Sequence, residues 1–194
     1  MTGIIILAAG SSSRMGQPKQ QLVYQDQTLL QRAIEAANGA QALALIIVLG
    51  ANNQAILDDV DSKHLDIVIN PEWEQGMSTS IKSGITALQT LYPKVDDVLL
   101  MLCDQPFVNT ELLIKLIQAK PQTADTIVAC KYKETIGVPV LFGKDWFAEL
   151  QNLQGEEGAK KLLLAHQDKV ITVPFDKGSI DIDTPDDYQQ LLNK

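Results

Sequence analysis

The sequence predicts an α/β fold in three layers, with a mostly parallel central sheet covered on both faces by helices. Short apolar runs of strand length alternate along the chain with stretches of helical spacing. The first runs are continuously apolar rather than alternating, as strands buried on both faces require. Size agrees. The chain has 194 residues, 45% hydrophobic and 21% charged, which suits one domain of ~100–200 residues. A domain of this size buries about 70% of its unfolded surface and needs no staples.

In order, Gly3–Ala8 reads as a buried strand, and residues 10–20 as a Gly- and Ser-rich loop running into helix. Thr28–Ala37 has helical spacing, with Leu29, Leu30, Ala33 and Ala37 on one face. Ala44–Leu49 is a second buried strand, Asn53–Val60 a short helix and Asp66–Ile69 a third strand. Ser78–Leu91 is helical, begun by Ser78 and facing inward with Ile81, Ile85 and Leu88. Asp97–Leu102 is a strand, Asn109–Ala119 a helix capped by Asn109 or Thr110, and Thr126–Cys130 a strand. Right-handed crossovers are expected between the parallel strands. Beyond Lys131 the rhythm loosens. Gly137–Phe142 and Val170–Val173 read as strands, and Asp145–Leu153, Glu156–His166 and Thr184–Leu192 as helices, extending the same sheet with mixed strands. No repeat or linker interrupts the chain. Residues 1–194 are expected to form one domain, in two parts of about 1–108 and about 109–194.

The composition excludes several classes. Apolar content is too high for disorder, and no apolar run reaches the ~20 residues of a membrane helix. The apolar start is too short for a signal peptide and has no basic flank, so a cytoplasmic protein is expected. Cys103 and Cys130 are too few for a disulfide framework and read as buried thiols. His64 and His166 lie in polar surroundings and read as solvated surface side chains. Net charge is −8 with a pI near 4.7, which speaks against nucleic acid as a partner. An anionic substrate would have to be attracted locally, by clustered cations or by a metal held on carboxylates.

The segment Leu7–Lys19, LAAGSSSRMGQPK, supplies such a cluster at the carboxyl end of the first strand, the edge where open α/β sheets bind ligands. Gly10 and Gly16 permit positive φ and close backbone approach. Ser11, Ser12 and Ser13 add hydroxyls, and the loop's N–H groups can form an anion nest. Arg14 and Lys19 add two cations. Neither the Walker loop nor the G-x-G-x-x-G fingerprint is present.

This string resembles the signature of the molybdenum cofactor guanylyl- and cytidylyltransferases, members of the MobA-like, Rossmann-like nucleotidyltransferases. Asn70–Ile81 (NPEWEQGMSTSI), Leu100–Val108 (LMLCDQPFV), Gly137–Phe142 (GVPVLF) and Leu153–Leu163 with Asp181–Tyr188 resemble the cytidylyl branch. The resemblance runs in register over essentially the whole chain and implies a Rossmann-like, three-layer nucleotidyltransferase fold. It implies Mg²⁺ as cofactor, CTP and a molybdopterin-type cofactor as substrates, and a target molybdoenzyme or its chaperone as a further partner. It also implies nucleotide contacts from Leu7, Ala8, Ala9, Gly10, Ser11, Ser12, Ser13, Arg14, Lys19, Gly76 and Ser80, with Asn70 behind them. Ala9, where guanylyl enzymes carry glycine, favours cytosine.

Asp104, at the end of a central strand before Gln105-Pro106, is open to two readings, a turn initiator or a Mg²⁺ ligand. The basic loop opposite it and the resemblance favour the ligand. Asp186 and Asp187 suit the first turn of a helix after Pro185. Asp183 is either part of that cap or a second Mg²⁺ ligand, with Asp181 nearby. Trp73 and Met77 read as packing residues. Val138 departs from relatives that place His or Asn there, which loosens the acceptor assignment. The implied chemistry is in-line attack of a phosphate on the α-phosphorus of CTP, with Arg14, Lys19 and Asp104 as the catalytic set and no general base. Two other readings stay open, a cytidylyltransferase for a sugar or polyol phosphate and a non-catalytic nucleotide- or cofactor-delivery protein.

Overall fold

The computed structural model describes residues 1–58, 60, 65–121 and 123–193. His64 lies outside them. In chain order the elements are β1 (Thr2–Ala8), β2 (Val23–Tyr24), β3 (Gln27–Thr28), α1 (Leu29–Gly39), β4 (Ala44–Leu49), α2 (Asn53–Leu57), β5 (Asp66–Ile69) and α3 (Met77–Leu91). There follow β6 (Asp97–Leu102), α4 (Thr110–Gln118), β7 (Ile127–Tyr132), β8 (Thr135–Gly143), α5 (Phe147–Asn152), α6 (Ala159–Ala165), β9 (Val170–Pro174) and α7 (Pro185–Leu192).

Seven strands form one sheet in the order β5-β4-β1-β6-β8-β7-β9. β1 pairs in parallel with β4 and β6, β4 with β5, and β7 with β9, while β8 runs antiparallel to both β6 and β7. The strands of the looser last third thus extend the first sheet. The two-residue strands β2 and β3 form a small separate ribbon, too short to leave a periodic signal in the sequence.

Strand alternation divides the core into two layers. Ile5, Leu7 and Ala9 face Ile81, Ile85 and Leu88 of α3, together with Leu150 of α5 and Leu162 of α6. Ile4, Ile6 and Ala8 face Leu30 and Ala33 of α1, Ile56 of α2 and Leu113 and Leu116 of α4. A smaller third cluster joins Met15, Leu22, Tyr24 and Leu29 to Ile182 and Leu191, so the first loop and the ribbon pack on the C-terminal segment.

The helix ends follow local chemistry. Thr28 caps α1 and Thr184 caps α7, each through a reciprocal box with the residue three positions on, Gln31 and Asp187. Asn109 caps α4. α3 differs from expectation: Gly76 is its N-cap with no side-chain bond, and Ser78 lies inside the first turn. α6 begins at Ala159 rather than Glu156. His166 is also unlike the solvated side chain expected: it is half-buried, its ring 4.7 Å from that of Trp146. Cys103 and Cys130 are buried free thiols. Among the described residues no helix is long and apolar enough to cross a membrane.

Candidate active site

The chain leaves β1 for β4 and β5 on one side and returns to β6 on the other, so the order reverses beside β1. Ligand crevices in open α/β sheets lie outside the carboxyl ends of strands at such a reversal. A cavity of about 480 Å³ opens there. Leu7–Ser11, Lys19 and Gln20 line one side, Leu102–Asp104 a second, and Trp73, Glu74, Gly76, Met77, Ser80 and Glu156 a third.

The first loop is folded back on its own strand. Ser12 takes positive φ (57°), as does Gly16 (77°), and the Ser12 carbonyl accepts from the Met15 and Gly16 N–H groups. Gly10, which permits positive φ, does not adopt it, and a Cβ placed on it meets nothing. Gln20 is buried, and its Nε2 donates to the Ala8 carbonyl at 2.7 Å and to that of Gly10 at 3.1 Å. The Lys19 N–H donates to Ser12 Oγ at 3.0 Å. These bonds tie the loop to the strand end and leave the Lys19 side chain at the cavity. Because no internal packing requires a glycine at position 10, Gly10→Ala is expected to leave urea unfolding within about 0.5 kcal/mol of wild type while weakening nucleotide binding. Equal nucleotide affinity in a titration would remove Gly10 from the ligand wall.

Lys19 gathers the distant parts of the site. Its Nζ donates to Asp104 Oδ2 at 2.5 Å and to Asp183 Oδ1 at 3.0 Å. Arg14 Nη2 donates to the other Asp183 oxygen at 2.9 Å. Burial works against the Lys19 charge, but the Asp104 carboxylate, helped by Asp183, more than reverses this and raises its pKa above the ordinary lysine value. Burial, then the negative Asp104 and Asp183, raise that of Asp181. Cys103, in the cavity wall, is pushed up to about 12 by burial and then by Asp104, so it is an inert thiol rather than a nucleophile.

The expected residues divide by position. Leu7 through Ser11, Lys19, Gly76, Ser80 and Asp104 meet at the cavity. Arg14, with its side chain 69% exposed, reaches the cluster through Asp183 rather than from the cavity wall. Ser12 is spent on loop bonds and Ser13 lies exposed in the turn. Asn70 is buried behind the wall, donating to Thr79 Oγ1 and Ser80 Oγ at 2.8 and 3.0 Å. Sequence reasoning missed Gln20, whose side chain acts as extra backbone, and Glu156, which it placed inside a helix. Trp73 and Met77, read as packing residues, line the cavity as well.

The donor set suits a hard divalent cation. Asp104 Oδ1 is buried and has no partner among the described residues. No cluster of three or more His, Cys, Asp or Glu side chains placed to hold a metal occurs among them. Two carboxylates, with substrate phosphates and water completing the shell, are what Mg²⁺-type sites use.

Sheet order, loop and carboxylates together define an α/β protein of the nucleotidyltransferase class. The chain belongs to the MobA-like NTP transferase domain family, whose model matches residues 4–170. It is 25% identical over 198 residues to the purine catabolism protein PucB of Bacillus subtilis (strain 168), covering 96% of this chain and 94% of that one. It is 26% identical over 184 residues to the molybdenum cofactor cytidylyltransferase of Escherichia coli (strain K12), covering 95% and 92%. A third relative, nicotine blue oxidoreductase of Paenarthrobacter nicotinovorans, is 34% identical over 118 residues, 60% of this chain and 55% of that one. Among solved structures, Rv0371c from Mycobacterium tuberculosis H37Rv superposes with a TM-score of 0.86 at 33% identity, covering 100% of this chain and 98% of that one. Its complex with manganese gives a TM-score of 0.82 at 32% identity, covering 100% and 98%.

Proposed function

We propose that the protein transfers CMP from CTP to the terminal phosphate of a molybdopterin-type cofactor and releases pyrophosphate. The observation that carries the reading is the Lys19–Asp104–Asp183 cluster at the mouth of the β1/β6 cavity, with Arg14 alongside. The likeness to a molybdenum cofactor cytidylyltransferase over 95% of the chain supports the acceptor.

In this reading Ala8, Ala9 and Ser80 bound the base and Gly10 lets the backbone approach the phosphates. Lys19 and Arg14 hold the departing pyrophosphate, lowering the barrier by positioning and charge neutralisation. Asp104 and Asp183 would hold the divalent ion, Mg²⁺ in the cell; the manganese complex of Rv0371c supports a divalent cation here. Bound there, the ion would neutralise charge on the reacting phosphates. The phosphate nucleophile is already an anion, and no side chain is required as base. Residues 109–194 contribute the acceptor side, including Asp183. We place the activity in the cytoplasm, where free thiols such as Cys103 and Cys130 persist.

One observation keeps a second acceptor class in view. The Val138 side chain packs against the apolar core and its carbonyl accepts from Gln105 Nε2 at 3.3 Å, so no polar side chain serves the acceptor at that position. A cytidylyltransferase for a sugar or polyol phosphate is therefore the alternative. Pyrophosphate release with CTP, GTP and ATP, each with molybdopterin, with a panel of polyol phosphates and with no acceptor, separates the readings. Release with CTP and molybdopterin at least about tenfold faster than with any other pair is expected, tenfold being 1.4 kcal/mol of discrimination. No release with any acceptor tested would leave a delivery protein.

A further inference from the structure

Lys19 stands on the carboxylates that a metal would use. Its ammonium touches one oxygen each of Asp104 and Asp183, and Arg14 takes the second Asp183 oxygen. In the protein alone the two carboxylates are thus balanced by two side-chain cations. A divalent ion placed on the same pair must displace the Lys19 ammonium. The displaced charge has little access to water, since the Lys19 side chain is only 17% exposed. With no anion to receive it, it would lie uncompensated beside two further positive charges, which is costly in a half-dry site. A triphosphate is the anion that can take it. The ammonium also leaves Asp104 Oδ1 without a partner, so the lysine-held arrangement satisfies the carboxylate only in part and can be exchanged.

We propose that Lys19 and the divalent cation are alternative counterions of Asp104 and Asp183, so that the protein takes up its metal together with the nucleoside triphosphate and holds little of it beforehand. The inference rests on the nucleotidyltransferase reading for the identity of the anion. Its coupling is reciprocal: whatever draws Lys19 off the carboxylates tightens metal binding, and the metal in turn releases Lys19 to the phosphates.

Manganese binding, read by water-proton relaxation without nucleotide, tests it on the wild type and on Lys19→Met. Removing the competing ammonium is expected to tighten Mn²⁺ binding about tenfold or more, within the usual range of site–site coupling. CTP is expected to tighten it in the wild type, after correction for Mn²⁺ bound by CTP itself, and to add far less in the variant. Lys19→Gln, which keeps a hydrogen bond but no charge, should also exceed the wild type and keeps the test available if Lys19→Met fails to fold. Mn²⁺ affinity in both variants equal to or weaker than wild type, while the wild type binds Mn²⁺ with CTP, overturns the exchange alone. Absence of Mn²⁺ binding in all three proteins, with and without CTP, overturns the nucleotidyltransferase reading and this inference with it.

Discussion

Asp104→Ala is expected to lower nucleotidyl transfer by about 10³-fold, because stabilising charge on a transferring phosphoryl group supplies several kcal/mol and each 1.4 kcal/mol is a decade. The loss should fall mainly on kcat. The fold should survive, for two reasons visible in the structure. Lys19 keeps Asp183 as a partner at 3.0 Å. The Asp104 carbonyl, which accepts from the Ile182 N–H at 3.0 Å and holds the C-terminal segment in place, is untouched by the substitution. Pyrophosphate release, with circular dichroism in parallel, reads both. A rate within tenfold of wild type would take Asp104 out of the catalytic set.

Gly76→Ala is expected to cost about 2–5 kcal/mol of unfolding free energy, combining strain at an unfavourable φ with overpacking against backbone. Gly76 has φ of 109°, and a Cβ there would drive into the backbone of Gly155 and Glu156. That backbone cannot step aside cheaply, because the Ser78 N–H donates to the Gly155 carbonyl at 3.1 Å. The same contact brings Glu156 to the cavity wall, so surviving protein should also bind nucleotide more weakly. Gly155→Ala is a useful contrast. Its φ is 54° but nothing lies within 4 Å of its Cβ position, and a cost of about 1 kcal/mol is expected from the left-handed backbone alone. Equal urea midpoints for the two variants would show that the Gly76–Gly155 contact is not tight.

Much of the fold was legible because each central strand is an unbroken apolar run and three of the α-helices, α1, α4 and α7, begin at a side-chain cap. GIIILA and ALIIVL have no exposed position to obscure them, and Asn109 caps where its side chain predicts, as Thr28 and Thr184 also do at the starts of α1 and α7. The ribbon of β2 and β3 escaped, since two-residue strands have no period. Within the site, proximity in sequence governed what could be read. Leu7 through Lys19 form one contiguous segment, strand end and loop together, and were recognisable as a unit. Ser78 looked like a cap because hydroxyls usually are, yet the chain uses Gly76, whose reason lies in a contact with residues about eighty positions away. Gln20 is a buried polar side chain that satisfies backbone carbonyls, and no local pattern announces that.

The third, smaller core bears on the order in which the protein is expected to become competent. Ile182 and Leu191 pack against Met15, Leu22, Tyr24 and Leu29, and the Tyr188 hydroxyl donates to the Val23 carbonyl at 2.7 Å. Asp183 meets Arg14 and Lys19 across 169 and 164 positions of chain. Contacts of such separation form late, after closer pairings have reduced the entropy of closing the loop. During synthesis β1 and its loop are made well before Asp183, so Arg14 and Lys19 are expected to lack its carboxylate until that later segment has emerged. A growing chain can therefore build most of its sheet without assembling the complete cluster, and a chain cut before Ile182 would lack the partner of the β1 loop.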